Sequence, residues 1–381
     1  MAPQIPQGIK TPAYVLDVAR LKTNLATAAR IKRESGARIL LATKAWAMPA
    51  AFPLLRDVLD GTTASGEYEA RLGREEFGKE VHVYAPAYAP GEVERLTGIA
   101  DHIYFNSPGQ LKKHLRAVKA AGRKVGLRIN PGYSNATIGG ALYDPCAPGS
   151  RFGTPPEAIA SAPWNEIDIL HAHALCESLD DGSVGLIRHV AAAFGSELRR
   201  VKAVNFGGGH FINKPGYKVE RLVGAIKTFR AEFPGLEVIL EPGAGLVVDA
   251  GYLVSTVLDI HVNGDKQIAI LDASASTHMP DVLEVPYRPP VLDSAQPGKL
   301  AHTYILGGKT CMTGDVIGEY SFNAPLQAGS RIVFGDMMQY SFVKSTTFNG
   351  TPLADLAILD EIGGYRVVRS FGYEEFRRRL G

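Results

Sequence analysis

Lys44 follows the apolar segment 39–42, which reads Ile-Leu-Leu-Ala. A continuously apolar segment of this length is typical of a buried parallel strand. A lysine at the end of such a strand loses hydration, which lowers the pKa of its amine and suits it to form a Schiff base. Taken alone, the simpler interpretation is that Lys44 extends its amine from the strand end into solvent.

Three consecutive glycines, Gly207, Gly208 and Gly209, follow another apolar segment and precede a predicted helix. Glycines let backbone N–H groups approach an anion closely, and the N-terminus of a helix adds a favourable dipole. The run therefore favours a phosphate site, although a plain tight turn would also use glycines. The spaced glycines and later acidic residue of a dinucleotide-binding fingerprint are absent.

Glu241 and His173 also stand at the ends of apolar segments. A carboxylate beside a pyridine nitrogen keeps that nitrogen protonated, which makes the ring a stronger electron sink. An imidazole can stack on an aromatic cofactor or carry protons. A surface carboxylate and a structural histidine are the alternatives. Together with the lysine and the glycines, the set suits pyridoxal phosphate, whose aldehyde, phosphate and ring nitrogen would each have a partner.

The elements that must position these residues alternate along the chain. Predicted strands lie at residues 39–45, 61–65, 81–85, 102–105, 125–130, 167–173, 201–206 and 238–241. Mostly helical segments connect them, and this alternation indicates a parallel sheet. Eight such units favour a closed (β/α)8 barrel over an open doubly wound sheet. In such a barrel the C-terminal strand ends share one rim, so the lysine, the glycines and the glutamate would meet there.

After residue 245 the pattern changes. Strand-like segments at 247–262, 267–273, 303–307 and 331–334 are separated by proline- and glycine-rich turns without helices. This predicts a second, C-terminal β-domain, which the N-terminal strand 13–16 would complete. We therefore predict an α/β plus β fold, with a TIM-like barrel over residues 30–245 and a β-domain built from 1–29 and 246–381.

Composition excludes several classes of protein. The 381 residues carry a formal net charge of +2, so nothing indicates binding to nucleic acid. No apolar stretch approaches the roughly 20 residues of a membrane span. Three cysteines (Cys146, Cys176 and Cys311) are too few and uneven for a disulfide framework, which favours the cytoplasm. No metal site is predicted. Cys311 lies in a loop, where a tuned thiol could donate a proton, unless it is an inert buried cysteine.

From about residue 11 to its C-terminus the chain resembles the alanine-racemase-like class of pyridoxal-phosphate enzymes, and within it the group IV decarboxylases. The segments that carry the resemblance are 41–45, 61–65, 143–151, 171–177, 207–210, 240–243, 278–284, 311–315 and 346–350. Two of them, Tyr-Asp-Pro-Cys-Ala-Pro-Gly-Ser-Arg at 143–151 and His-Met-Pro-Asp-Val-Leu-Glu at 278–284, are typical of the carboxynorspermidine and carboxyspermidine decarboxylases.

The resemblance implies a role for each of the residues above. It implies that pyridoxal phosphate is held by Lys44, His173, Gly207, Gly208, Gly209, Glu241 and Tyr340. It also implies that Cys311 reaches across the interface of a homodimer and protonates the product. Substrate binding is implied for Asp144, Glu177, Asp281 and Asp315, with Asp315 at a distal amine.

The implied reaction is decarboxylation of carboxynorspermidine or carboxyspermidine to norspermidine or spermidine in polyamine biosynthesis. These substrates differ by one methylene, which a pocket discriminates by only ~1–3 kcal/mol, so the sequence does not separate them. Another group IV decarboxylase, such as a diaminopimelate-type enzyme, and a non-catalytic pyridoxal-phosphate-binding protein are the alternatives.

Two departures from the relatives bear on substrate and phosphate binding. Ala244-Gly245 stands where ornithine-type relatives usually carry an arginine that helps to hold the phosphate. Met312 stands where they carry an acidic residue, which argues against ornithine as the substrate.

Overall fold

The computed structural model describes residues 5–6, 8–135 and 143–381. The chain divides into two compact units: a barrel unit, Asn24–Leu246, and a sheet unit that combines Met1–Thr23 with Val247–Gly381. The domain limits predicted at residues 30 and 245 stay a prediction.

The first strand, β1 (Ala13–Asp17), is followed directly by helix α1 (Val18–Ser35). The backbone N–H of Arg20 donates to Oδ1 of Asp17 at 3.0 Å, so this carboxylate satisfies an N–H group that the first turn of a helix leaves without a partner.

Eight parallel strands form the closed barrel. They are β2 (Arg38–Ala42), β3 (Gly61–Ala64), β4 (Glu80–Tyr84), β5 (His102–Phe105), β6 (Lys124–Arg128), β7 (Ile169–His171), β8 (Ala203–Asn205) and β9 (Glu237–Leu240). Strands β2 and β9 pair in parallel and close the ring. The predicted (β/α)8 barrel is therefore confirmed, and the open sheet is excluded.

Helices connect most of the barrel strands. They are α2 (Phe52–Arg56), α3 (Glu67–Leu72), α4 (Glu92–Leu96), α5 (Pro108–Ala120), α6 (Pro156–Ile159), α7 (Asp180–Ala193), α8 (Gly195–Leu198) and α9 (Val219–Glu232). A further helix, α10 (Ala244–Val247), follows the last barrel strand. A π-helix, Gly73–Phe77, continues α3. Apolar side chains fill part of the interior; one buried cluster joins Leu40, Tyr104, Ile169, Ala203 and Ile239, each from a different strand.

The sheet unit is a mixed sheet with short helices. Its further elements are β10 (Gly251–Asn263), β11 (Lys266–Leu271), α11 (Ala275–His278), α12 (Asp281–Glu284), β12 (Ser294–Ala295), β13 (His302–Gly307), β14 (Val316–Phe322), β15 (Arg331–Phe334), β16 (Asp355–Leu359), β17 (Tyr365–Arg369) and α13 (Tyr373–Leu380). Strand β1 pairs antiparallel with β10 and parallel with β16. The N-terminal strand therefore completes this sheet, as predicted.

The strands and helices predicted for the sheet unit were incomplete. Strand β10 begins at Gly251 rather than at residue 247, because the helical turn α10 occupies the preceding residues. Four strands, β12, β14, β16 and β17, were not predicted. Two short helices, α11 and α12, lie where turns were predicted, and a third, α13, follows the last strand. Strand β17 is half exposed and carries two arginines, so its pattern lacks the apolar signal of a buried strand. Across the described residues, every helix falls short of the length and apolarity that spanning a bilayer requires.

Candidate active site

Lys44 lies in the turn that follows β2, two residues beyond the end of the strand. The preceding residue fixes this turn. Both the backbone N–H and the hydroxyl of Thr43 donate to the carbonyl oxygen of Thr63, at 3.1 and 3.0 Å. The same hydroxyl lies 3.0 Å from Oε2 of Glu69 in α3. The amine of Lys44 is thus carried by a backbone that is tied to the next strand and helix.

Part of the Lys44 side chain is exposed to solvent, while protein atoms surround its amine closely. This burial is the main cause that lowers its pKa, and the cationic guanidinium of Arg128 lowers it further, while Glu241 acts in the opposite direction. A lowered pKa leaves a larger fraction of the amine unprotonated at any given pH, which is the form that attacks a carbonyl carbon.

Glu241 follows β9 and is buried. Its Oε1 accepts a hydrogen bond from Nδ2 of Asn205 at 2.7 Å, and its Oε2 lies 3.5 Å from Nε2 of His171. Burial alone would raise the pKa of this carboxyl, but the interactions with His171 and Asn205 outweigh burial and lower the pKa to about 2. Burial also lowers the pKa of His171, so a neutral imidazole beside an anionic Glu241 is the state consistent with both directions.

His173 lies against the glycine run. Its Nδ1 accepts a hydrogen bond from the backbone N–H of Gly208 at 2.8 Å. Gly207 has a left-handed backbone, with φ of +69°, and a Cβ there would lie 2.5 Å from Cβ and Nδ1 of His173. Burial, followed by the charges of Lys44 and Arg128, holds the pKa of His173 well below its ordinary value. The ring is therefore neutral, carries its proton on Nε2, and has one fixed orientation.

Asn205, which sequence reasoning did not single out, joins the glycine run to the carboxylate. Its Oδ1 accepts a hydrogen bond from the N–H of Gly207 at 2.8 Å, while its Nδ2 donates to Glu241. The available signal was a polar residue at the end of a predicted strand, directly before Phe206 and the glycines.

Arg128, at the end of β6, was also missed. Its Nη2 donates to the carbonyl oxygen of His173 at 2.9 Å, and its guanidinium carbon lies 4.5 Å from the ring centre of Tyr84 and 4.6 Å from that of Phe152. Its Nε is buried and has no hydrogen-bond partner within the described part of the chain. A buried cationic donor in this position is available to an acidic oxygen of a ligand.

Gly245, the second residue of the departure at Ala244-Gly245, has no room for a side chain. A Cβ on Gly245 would lie 2.3 Å from the carbonyl oxygen of His210, so the backbone there approaches the residue that follows the glycine run. Any side chain at Gly245 would require this backbone to move.

Two further predicted residues lie in loops of the barrel unit. Oδ1 of Asp144 accepts a hydrogen bond from the N–H of Cys146 at 2.8 Å, in the loop that follows β6. Glu177 has a left-handed backbone, with φ of 44°, in the loop that follows β7. Their roles in substrate binding stay predictions.

Cys311 and Asp315 lie in the sheet unit. Cys311 is exposed rather than inertly buried, and its backbone N–H donates to Oδ1 of Asn349 at 2.9 Å. Asp315 is buried, and its carboxylate accepts four hydrogen bonds. The donors are Oγ of Ser274, the N–H of Ala275, and the N–H and hydroxyl of Thr310, at 2.9, 2.8, 3.2 and 2.6 Å. These bonds hold the loop that carries Cys311, and the predicted contact of Asp315 with a distal amine stays a prediction.

Asp281 and Tyr340 also belong to the sheet unit. Asp281 and Glu284 both form ion pairs with Lys344. Tyr340 has a left-handed backbone, with φ of 48°. The structure thus brings the predicted lysine, histidine, glycines and glutamate together in the barrel unit, and places the predicted cysteine, Tyr340 and two of the acidic residues in the sheet unit.

The residues of the barrel unit fit pyridoxal phosphate. Lys44 offers an amine of lowered pKa, and Glu241 offers a buried anion for a protonated ring nitrogen. In the glycine run the N–H groups of Gly207 and Gly208 are bonded to Asn205 and His173, which leaves the N–H of Gly209 for a phosphate. The buried Nε of Arg128 is a further donor for an acidic oxygen of this group. The donor set therefore matches the aldehyde, the phosphate and the ring nitrogen of one molecule.

Comparison with known proteins gives matches that extend over both units. Residues 13–338 match the family described as "Pyridoxal-dependent decarboxylase, C-terminal sheet domain". The chain is 40% identical to the carboxyaminopropylagmatine decarboxylase of Synechocystis sp., over 98% of this chain and 96% of that protein. It is 38% identical to the carboxynorspermidine/carboxyspermidine decarboxylase of Campylobacter jejuni, over 98% and 99% of the two chains.

One solved structure also resembles the chain over nearly its whole length. The carboxynorspermidine decarboxylase of Campylobacter jejuni, complexed with norspermidine, superposes with a TM-score of 0.90 at 36% identity. The superposition covers 97% of this chain and 100% of that one.

Proposed function

The chain belongs to the pyridoxal-dependent decarboxylases, and we propose that its substrate is an amino acid with a polyamine tail, carboxynorspermidine or carboxyspermidine. The products are then norspermidine or spermidine, in polyamine biosynthesis. The observation that carries the chemistry is the amine of Lys44 and the buried anion of Glu241 at the strand ends of one barrel. The predicted enzyme class and cofactor are confirmed, and a non-catalytic pyridoxal-phosphate-binding protein is not favoured.

Pyridoxal phosphate supplies an aldehyde that combines with amines and a ring that accepts the electron pair released when carbon dioxide leaves. Lys44 would hold the aldehyde carbon, because its lowered pKa favours the nucleophilic amine. Glu241, an anion that accepts a hydrogen bond from Asn205, would keep a proton on the ring nitrogen. The neutral ring of His173 would contact the cofactor without adding a positive charge that competes for that carboxylate. The substrate R–CH(NH3+)–COO− takes up one proton at its α-carbon, loses carbon dioxide and becomes R–CH2–NH3+.

Cys311 is the proposed donor of that proton, from a second copy of the chain in a cytoplasmic homodimer. Its thiol is exposed, and the bond to Asn349 fixes the loop that presents it. We expect Cys311→Ser to protonate the α-carbon poorly, so that abortive transamination products rise relative to amine product. Quantifying both products by mass spectrometry tests this, with Cys146→Ser, at a half-buried cysteine, as the control. Unchanged product partition in Cys311→Ser would exclude the role.

A second candidate substrate is carboxyaminopropylagmatine, which the relative at 40% identity favours. Agmatine ends in a guanidinium group, whereas norspermidine and spermidine end in an ammonium group. A planar guanidinium presents a fixed fork of donors and an ammonium presents a compact charge, so one pocket discriminates between them. The two candidates share the chemistry at the α-carbon and differ only in the tail.

Carbon dioxide release from a panel of amino acids tests both candidates. The panel contains carboxynorspermidine, carboxyspermidine and carboxyaminopropylagmatine, with ornithine, lysine and diaminopimelate as controls. We expect kcat/KM for the preferred polyamine-tailed substrate to exceed that for each control by at least about 100-fold, or ~2.7 kcal/mol. A clear preference for carboxyaminopropylagmatine selects the second candidate, and a preference for diaminopimelate or ornithine contradicts both.

A further inference from the structure

A series of hydrogen-bonded, buried side chains runs from Glu241 into the interior of the barrel through Asn205, Tyr104 and His82. Nδ2 of Asn205 donates to Glu241 at 2.7 Å and to the hydroxyl oxygen of Tyr104 at 3.1 Å. The hydroxyl of Tyr104 lies 2.8 Å from Nδ1 of His82. All four side chains are buried, between 0% and 4% exposed, so water does not replace any of these bonds.

The hydrogen atoms of this hydrogen-bonded series have one consistent arrangement. Oδ1 of Asn205 accepts the N–H of Gly207, so its NH2 group must face Glu241 and Tyr104. Because the oxygen of Tyr104 accepts from Asn205, its O–H donates to Nδ1 of His82. The imidazole then carries its proton on Nε2. Burial lowers the pKa of His82 well below its ordinary value and raises that of Tyr104, so both groups are neutral as this arrangement requires.

The strand register holds the two inner residues in place. Tyr104 is the pairing partner of Gly126, where a Cβ would lie 2.1 Å from Cδ1 of the tyrosine ring. The absence of a side chain at Gly126 therefore makes room for that ring. His82 is the pairing partner of His102, and the two rings stack with centroids 3.8 Å apart. Each inner residue is thus packed against a neighbouring strand.

We propose that Tyr104 and His82 are positioning residues for this reaction, which fix the carboxamide of Asn205 and thereby the orientation and charge of Glu241. This inference rests on the proposed function of the site. Without the hydroxyl of Tyr104, one N–H of Asn205 and Nδ1 of His82 lose their partners, and the carboxamide can rotate. Glu241 then holds the proton on the cofactor ring less firmly.

A metal site is the competing explanation for the cluster around His82, at the inner end of the hydrogen-bonded series. Glu80, His82 and His102 bring ligand atoms within 4.8 Å of one another. The two imidazole rings, however, are only 20° from parallel, so their lone pairs do not converge on one point. The carboxylate of Glu80 already forms an ion pair with Arg38. Nε2 of His82 lies 3.6 Å from Oε2 of Glu80, which suits a neutral donor facing an anion.

The test uses the holoenzyme reconstituted with 15N-labelled pyridoxal phosphate. Its ring-nitrogen chemical shift reports protonation without any substrate. In Tyr104→Phe we expect the shift to move toward the unprotonated position, and kcat to fall about tenfold with KM within about twofold, the effect of one lost hydrogen bond. Tyr320→Phe is the matched control, because its buried hydroxyl donates to the backbone carbonyl of Pro289 at 2.7 Å, in the sheet unit. We expect wild-type values for that variant.

Two variants of His82 test whether the O–H of Tyr104 needs an acceptor at this position. They also cover the case in which Tyr104→Phe fails to fold. In His82→Asn the carboxamide oxygen can accept the tyrosine O–H, whereas His82→Leu offers no acceptor. We expect the ring-nitrogen shift to be preserved in the first variant and moved in the second. A shift that stays at the wild-type value in both His82→Leu and Tyr104→Phe overturns the proposal. A failed substrate panel, by contrast, would overturn the proposed function and leave the ring-nitrogen measurement intact.

Discussion

The barrel unit contains two clusters of the same composition, one at each end of its strands. Each has two histidines and a glutamate whose ligand atoms lie within 4.8 Å of one another. The C-terminal cluster consists of His171, His173 and Glu241, and the N-terminal cluster consists of Glu80, His82 and His102. Identical residue types therefore occur in two settings, and only their neighbours differ.

At the C-terminal ends the neighbours come from the last residue of a strand and from a loop. Asn205 binds Glu241, and the backbone of Gly208 binds His173. At the N-terminal ends the glutamate and one histidine are the first residues of their strands, and Arg38 neutralises the carboxylate. Loops that follow strands can present glycines and backbone N–H groups to a ligand, whereas strand starts are occupied by the pairing of the barrel itself. The comparison predicts that the first cluster controls catalysis directly, that Glu80 and His102 of the second cluster control stability, and that His82 acts on catalysis only through Tyr104.

The largest effect is expected at the lysine beside the C-terminal cluster. Lys44→Ala removes the amine that holds the cofactor, so we expect loss of its visible absorbance and of all measurable carbon dioxide release. Lys202→Ala is the control, since its amine pairs with Asp168 at 2.9 Å before β7 begins. Retained activity in Lys44→Ala would contradict the assignment of the whole site.

The two glutamates provide the next test. Glu241→Gln removes the anion beside the ring nitrogen, and we expect kcat to fall by about 100-fold, or ~2.7 kcal/mol. Glu80→Gln keeps an acceptor for His82 but breaks a half-buried ion pair with Arg38, so we expect kcat within about twofold and a loss of ~1 kcal/mol in the free energy of unfolding. Steady-state kinetics and urea denaturation separate the two. Equal losses of kcat in Glu241→Gln and Glu80→Gln would contradict the distinction between a catalytic and a structural glutamate.

A pair of glycines sharpens the comparison at the cofactor. Gly207 and Gly122 have nearly equal backbone angles, with φ of +69° and +68°, but only Gly207 faces a neighbour, His173. Gly122→Ala should cost ~1 kcal/mol of stability from left-handed strain alone. We expect Gly207→Ala to cost more and to weaken cofactor binding at least about tenfold, measured by absorbance titration. Similar cofactor affinity in both variants would mean that His173 does not require the space.

The smallest expected effect is the pH dependence of stability at the N-terminal cluster. Burial lowers the pKa of His102 from 6.5 to about 3. Between these values the unfolded chain binds a proton that the folded chain does not, so the free energy of unfolding falls as pH falls. One such group contributes a slope of up to ~1.4 kcal/mol per pH unit. His102→Gln should reduce the slope between pH 6 and 4 by about this amount in urea denaturation, and an unchanged slope would exclude the buried neutral histidine.

The sequence was sufficient to locate the barrel and half of the site. Each predicted barrel strand was a short apolar segment, and parallel strands that are covered on both faces carry that signal directly. Lys44, the glycine run and Glu241 were found because the ends of such strands share one rim. The sheet unit was harder, since β16 and β17 are short and one of them is exposed and charged.

The links between distant residues were not visible in the sequence. Asn205 contacts Glu241 and Tyr104, which lie 36 and 101 positions away along the chain. Tyr104 meets His82 across neighbouring strands, and nothing in their local segments indicates which side chains face each other. Register and closure decide such contacts, because a shift of one residue turns a side chain to the other face of a sheet.

The sequence by itself therefore determined the order of strands and helices, the family and the residue types that the cofactor requires. It could do so because apolar segments, glycines and strand-end polar residues are local signals. Only the tertiary structure decided the charge states. Lys44 has a lowered pKa and Glu241 stays anionic because protein atoms, Arg128, His171 and Asn205 surround them. Burial and through-space interaction act between residues far apart in the chain, so they arise only when the barrel has closed.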